Sequence, residues 1–174
     1  MPPSADSPCC HVCLGDPPAG RAADKALARR VPVLRVVQVR RAVAGDRPLT
    51  CPHRAAALAR HLLAGYDREA FAVIHLDHKR RAISAEVVAV GTLCATLVHP
   101  REVFKGALLA NASAIVLAHN HPSGDPVPSP EDLALTRVLL AAGDVIGVTV
   151  EDHLVVGDTV VSMREMTGLW AART

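Results

Sequence analysis

The stretch IVLAHNHPSGDPVPSPED, residues 115–132, constrains this chain more than any other. It opens as an apolar run and passes through His119 and His121, one residue apart. It then turns through a loop punctuated by proline and glycine and ends at Ser129-Pro130-Glu131-Asp132. The first part, SAIVLAH, is short and almost wholly apolar, which predicts a strand buried on both faces. The last part carries the start signals of a helix: serine as N-cap, proline at the first helical position and an acidic residue at the third. If the strand is still extended at the histidines, both imidazoles point to one side, roughly 6.5–7 Å apart at Cα. Two such rings can converge on one metal ion at ~2.0–2.1 Å each. They stand at a strand end, where open α/β sheets usually place their sites. Asp132, in the first turn of the helix, is the third candidate ligand. Local alternatives stand beside this. Ser129-x-x-Asp132 is also a capping box, and His-Asn-His-Pro is also a polar strand end. Asp125 is a competing carboxylate, yet Ser-Gly-Asp-Pro is ordinary turn chemistry.

The remaining chain gives the setting. Residues 1–30, rich in proline and small polar residues, read as a flexible leader. From Val31 the pattern alternates Val and Leu with Arg and Gln, as a half-exposed strand does. Pro52 opens a helix running to about Leu63, with Gly65 as its stop. Residues 69–77 and 82–91 form a hairpin around the charged turn His78-Lys79-Arg80-Arg81, with His75, His78 and Glu86 facing solvent. A short segment around Leu93–Val98 and a helix from His99 to Ala112 follow. A helix from Ser129 to Ala142 stops at Gly143, and two closing strands lie around Asp152-His153. Strands and helices interleave, so the expected fold is α/β: a mixed sheet with covering helices.

Composition excludes several classes. The five cysteines are an odd number, and three of them (Cys9, Cys10, Cys13) crowd the leader. That argues against a secreted disulfide framework, and with His11 their spacing completes no four-ligand zinc pattern. The aromatic set is Tyr66, Phe71, Phe104 and Trp170, too few for a nucleic-acid stacking platform, and the net charge is only +2. No segment approaches the ~20 apolar residues of a membrane-spanning helix, and no signal pattern opens the chain. A cytoplasmic protein is expected, and the exposed hairpin edges leave room for a homodimer.

The pattern His119-x-His121, seven residues, Ser129, two residues, Asp132 resembles the zinc signature of JAMM (MPN-domain) metalloproteases. The wider wording from His99 to Thr136, HPREVFKGALLANASAIVLAHNHPSGDPVPSPEDLALT, resembles the RadC family named for DNA repair, as does DHLVVGDTVVSM near the C-terminus. The resemblance covers the chain from about Val31 and implies a RadC-like JAMM/MPN metallohydrolase domain over residues 31–174, of cytidine-deaminase-like architecture. It implies Zn2+ held by His119, His121 and Asp132 with water in the fourth position. Glu69 would be the general base to that water, with Glu102 the alternative and Glu86 a third. Ser129 would position or polarise a substrate carbonyl. His99 and His153 are expected to be structural or supporting.

The activity so implied is hydrolysis of an amide bond, as a metallopeptidase or isopeptidase acting on a protein or peptide. Three protein ligands leave one position open, as catalytic zinc requires. Zinc polarises a carbonyl and acidifies water, and a nearby carboxylate can carry the proton to the leaving amine. Two other readings are a DNA-repair module or nuclease and a non-catalytic MPN scaffold. Longer RadC-like proteins carry a helical N-terminal domain of DNA-binding type, for which no room is expected here.

Overall fold

A computed structural model describes residues 48–49, 52–91 and 98–171. All of them lie in one of the chain's two units, Gln38–Thr174. The expected leader with its cysteines, the strand from Val31 and all of the Leu93–Val98 segment but Val98 lie outside the described residues. In chain order the elements are α1 (Pro52–Leu63), β1 (Ala70–Leu76), β2 (Ala82–Val90), α2 (Pro100–Leu109), β3 (Ala114–Asn120), α3 (Pro130–Ile146), β4 (Thr149–Val156), β5 (Val160–Ser162) and α4 (Met163–Met166). The strands form one sheet in the order β2-β1-β3-β4-β5. β1 pairs antiparallel with β2 and β3, β3 pairs parallel with β4, and β4 pairs antiparallel with β5. This is the mixed α/β sheet with covering helices that the interleaved pattern predicts.

β3 is the central strand, and every one of its residues is buried. Its pleat divides the core in two. Ala114, Val116 and Ala118 face α1 and pack with Ala55, Ala59 and Leu63. Alanine on both partners lets that helix approach the sheet closely. Ile115 and Leu117 face the other way, onto Phe104 of α2 and Leu139 and Leu140 of α3. Alternation therefore puts His119 on the α2–α3 face. α2 begins as expected, with Pro100 in its first turn and the exposed His99 as N-cap, its Nδ1 accepting from the Arg101 N–H at 3.1 Å. No helix among the described residues is long and apolar enough to cross a membrane.

Four expectations are corrected. Gly143 does not stop α3, which runs on to Ile146 and closes at Gly147 in the left-handed conformation (φ +79°). Gly143 is instead a packing position: a Cβ there would stand 2.6 Å from the Val148 carbonyl oxygen. His75 is not exposed; it is 2% accessible, because α2 covers that face of the hairpin. Its Nδ1 lies 2.7 Å from Ser84 Oγ, and burial lowers its pKa to about 4. Glu86 does not simply face solvent: one carboxylate oxygen is buried over Gly106 of α2, which has no Cβ to obstruct it. Asp152 and His153 lie inside β4 rather than at a turn; the reversal into β5 falls at Gly157-Asp158.

The two glycines of α3 separate two physical effects. Gly143→Ala is expected to cost about 1–3 kcal/mol by overpacking. Gly147→Ala, with no atom near its would-be Cβ, should cost ~1–2 kcal/mol for the left-handed backbone alone. Chemical denaturation measures both; unchanged stability in Gly143→Ala would contradict the close approach of α3 to Val148.

Candidate metal centre

Three local devices bring three donor groups to the end of β3. The first is the pleat, which stacks the ring of His119 parallel to Phe71, its partner in β1, at a centroid distance of 6.2 Å. The second is continued pairing. The His121 N–H donates to the Val156 carbonyl at 2.9 Å, so the chain is still extended there. The rings of His119 and His121 consequently stand side by side, 4.8 Å apart at their centroids. The third is the capping box of α3. Ser129 Oγ accepts from the Asp132 N–H at 3.1 Å, and the Ser129 N–H donates to Asp132 Oδ2 at 2.7 Å. The Ser129 hydroxyl donates to the same Oδ2 at 2.7 Å, which leaves Oδ1 to face His119.

The loop between these devices is pinned, not merely punctuated. Gly124 adopts φ +85°, and its carbonyl accepts from the Asp158 N–H at 2.7 Å. A Cβ on Gly157 would collide with that same carbonyl. The β4–β5 turn thus holds the loop that sets where Asp132 begins.

Proton positions follow from partners that can only accept. His121 Nδ1 lies 2.7 Å from the Asp125 backbone carbonyl, so in the neutral ring Nδ1 carries the hydrogen and Nε2 presents a lone pair. The Thr136 hydroxyl donates to the Asp132 carbonyl at 2.6 Å. Thr136 Oγ1, 2.6 Å from His153 Nδ1, therefore accepts from that nitrogen. His153 Nε2 is then an acceptor, and it lies 2.9 Å from His119 Nδ1, which donates to it. In the neutral ring of His119 the lone pair then falls on Nε2. Burial pushes the pKa of His153 far down, with the charges of His119 and His121 adding to the effect and Asp132 opposing it, so this ring is neutral.

The Nε2 atoms of two imidazoles and a carboxylate thus face one point. His119 Nε2 is 3.0 Å from His121 Nε2 and 3.2 Å from Asp132 Oδ1, and His121 Nε2 is 3.4 Å from Asp132 Oδ2. A tetrahedral ion with bonds of ~2.0–2.1 Å sets its ligand atoms ~3.3–3.4 Å apart; the two Nε2 atoms stand close to that, and one ligand atom from each of the three residues lies within 4.8 Å of the others. Among the described residues these three side chains are the group able to hold a metal ion. Burial would raise the Asp132 pKa; hydrogen bonding and charge from His119, and the two bonds from Ser129, outweigh it and hold the carboxyl well below its usual range.

The other candidates fall elsewhere. Glu69 is the half-buried residue just before β1, and continuing the Phe71–His119 register brings it level with His121. Glu102 is exposed on α2 in an ion pair with Lys105 and neighbours Glu86. Asp125 Oδ1 accepts from the Val127 N–H at 3.0 Å, which is turn chemistry, and only its backbone carbonyl serves the centre. Asp152 is buried in β4, where it accepts from the His153 N–H and Ser162 Oγ at 2.7 Å each.

Two residues go unread in the sequence. Asn120 reads there as a spacer between the histidines. Its buried amide spans the backbone on both sides of Glu69, accepting from the Ala70 N–H at 2.8 Å and donating to the Arg68 carbonyl at 3.1 Å. A polar residue closing a buried strand must satisfy its amide, and that was the available signal. Thr136 lies four residues after Asp132, hence on the same helix face, but nothing local links it to His153.

The comparisons with known proteins agree with this geometry. Residues 49–169, well over half of the chain, match the family described as RadC-like JAB domain. A UPF0758 protein of Desulforudis audaxviator is 44% identical over 119 residues, 68% of this chain and 52% of the relative. One of Rubrobacter xylanophilus is 45% identical over 139 residues, 80% of this chain and 58% of the relative. One of Symbiobacterium thermophilum is 61% identical over 89 residues, 51% of this chain and 38% of the relative. The chain spans about half the length of the first two of these curated relatives. With a five-stranded mixed sheet and a His-His-Asp cluster able to hold a metal, the chain belongs to the RadC-like JAB domain family, whose fold is of metallohydrolase type.

Proposed function

We propose that this domain is a zinc-dependent hydrolase of amide bonds, a metallopeptidase or isopeptidase. One observation carries the reading: two imidazole Nε2 atoms and a carboxylate converge, with separations of 3.0–3.4 Å. With Zn2+ that arrangement is a three-ligand set with one position open. His119, His121 and Asp132 would hold the ion. When bound there, zinc supplies Lewis acidity toward a carbonyl oxygen and acidifies water.

The protein's own residues supply the remainder. Glu69 takes the proton of an attacking water and delivers it to the leaving amine, a step typically worth 10²–10⁴-fold. Support for Glu69 over Glu102 comes from its register with His121. Asn120 fixes the backbone from which Glu69 projects. Ser129 orients Asp132, and its hydroxyl reaches a substrate carbonyl by rotating away from Oδ2. Phe71 and the buried His153 form a dry floor under the histidines, which strengthens charge stabilisation.

Full-length protein purified without chelator is expected to hold about one zinc ion per chain. His119→Ala and Asp132→Asn should remove it, whereas Glu69→Gln should retain it and lose ~10²–10⁴-fold in peptide or isopeptide cleavage. Metal analysis and a peptide and DNA cleavage screen decide the matter. A metal-free protein would contradict the reading. Cleavage of DNA instead of peptides would favour the nuclease alternative, for which a net charge of +2 gives little support. Asn120→Ala should keep its zinc and lose roughly 10–100-fold in activity through misplacement of Glu69; undiminished turnover would remove Asn120 from this role.

A further inference from the structure

We infer that Thr136 and His153 form a buried relay that presets His119 as a metal ligand and ties its tautomer to the helix that carries Asp132. The inference rests on the metal-binding reading above and adds what makes the ligand set ready before an ion arrives. The relay runs from the Asp132 carbonyl through Thr136 Oγ1 and His153 to His119 Nδ1, with separations of 2.6, 2.6 and 2.9 Å. Thr136 and His153 are both 0% exposed, so water offers neither an alternative partner. Met163 of α4 closes the far side, its sulfur 3.7 Å from Thr136 Oγ1.

The direction of every bond is dictated from one end. A carbonyl only accepts, so the threonine hydroxyl must donate to it. That hydroxyl then accepts from His153, and His153 accepts from His119. Reversing any member would leave a buried donor facing a donor, or an acceptor facing an acceptor. His121 is oriented separately by the Asp125 carbonyl, so the two rings are set by different elements. Thr136 and Asp132 lie one turn apart on α3, so the element that delivers the carboxylate also fixes the lone pair it meets. His153 and Thr136 are positioning residues: the ligand atom they control is His119 Nε2.

The first test needs neither a variant nor a metal. Long-range 1H–15N correlation of the metal-free protein at mildly alkaline pH reports the tautomer of each histidine. Nδ1–H forms of both His119 and His153 are expected; an Nε2–H form of either overturns the relay. The second test is zinc affinity by competition with a chromophoric chelator. Thr136→Val, which keeps the side-chain shape without the hydroxyl, should weaken zinc about 10–100-fold and move His119 toward its Nε2–H form. Thr136→Ser should restore both. Wild-type affinity in Thr136→Val overturns the inference, as does a loss that Thr136→Ser fails to restore. If the wild-type protein binds no zinc, the metal-binding reading fails on its own, and the tautomer measurement still judges the relay.

Discussion

β3 and β4 run parallel, and the site depends on that pairing. Two parallel neighbours cannot be joined by a tight turn. The chain leaving His121 must therefore cross back over the sheet before it can pair again, and α3 is the crossing. A crossover helix begins at the end of the strand it has just left. Here that end carries two histidines, so the first turn of α3 returns to them. The capping box then does local work with a wider result. Ser129 caps for ~1 kcal/mol of helix stability and, in the same geometry, aims the carboxylate. Asp132 Oδ2 takes both Ser129 bonds, and Oδ1 is left toward His119. Cap and ligand are two uses of one side chain.

Around the donors, each side chain has a partner that orients it. His121 is turned by a backbone carbonyl, His119 by His153, and Asp132 by Ser129. An unpaired buried polar group costs about 1–3 kcal/mol, so these bonds are part of what allows such a polar cluster at the edge of an apolar core.

Much of the site was legible because it is written in short-range rules. The period of two along β3 puts His119 and His121 on one side. The spacing from Ser129 to Asp132 announces a cap, and an unbroken apolar run announces a central strand. What was misread depends on packing between distant segments. A glycine near a helix end reads as a stop, but Gly143 is there because Val148 passes close by. His75 and Glu86 look exposed on a hairpin until α2 covers them. Asn120 passes as a spacer until β1 lies beside it, and Thr136 gains meaning only when β4 brings His153 within 2.6 Å. Sequence signals of that kind require knowing which elements touch.

The central claim is that one ion binds between two imidazoles and a carboxylate. X-ray absorption at the zinc edge, on full-length protein loaded with one equivalent, tests it most directly. A first shell of nitrogen and oxygen at ~2.0–2.1 Å, with imidazole scattering from two histidines and no sulfur, is the predicted result. A zinc–sulfur distance of ~2.3 Å would place the ion on cysteine and contradict the account.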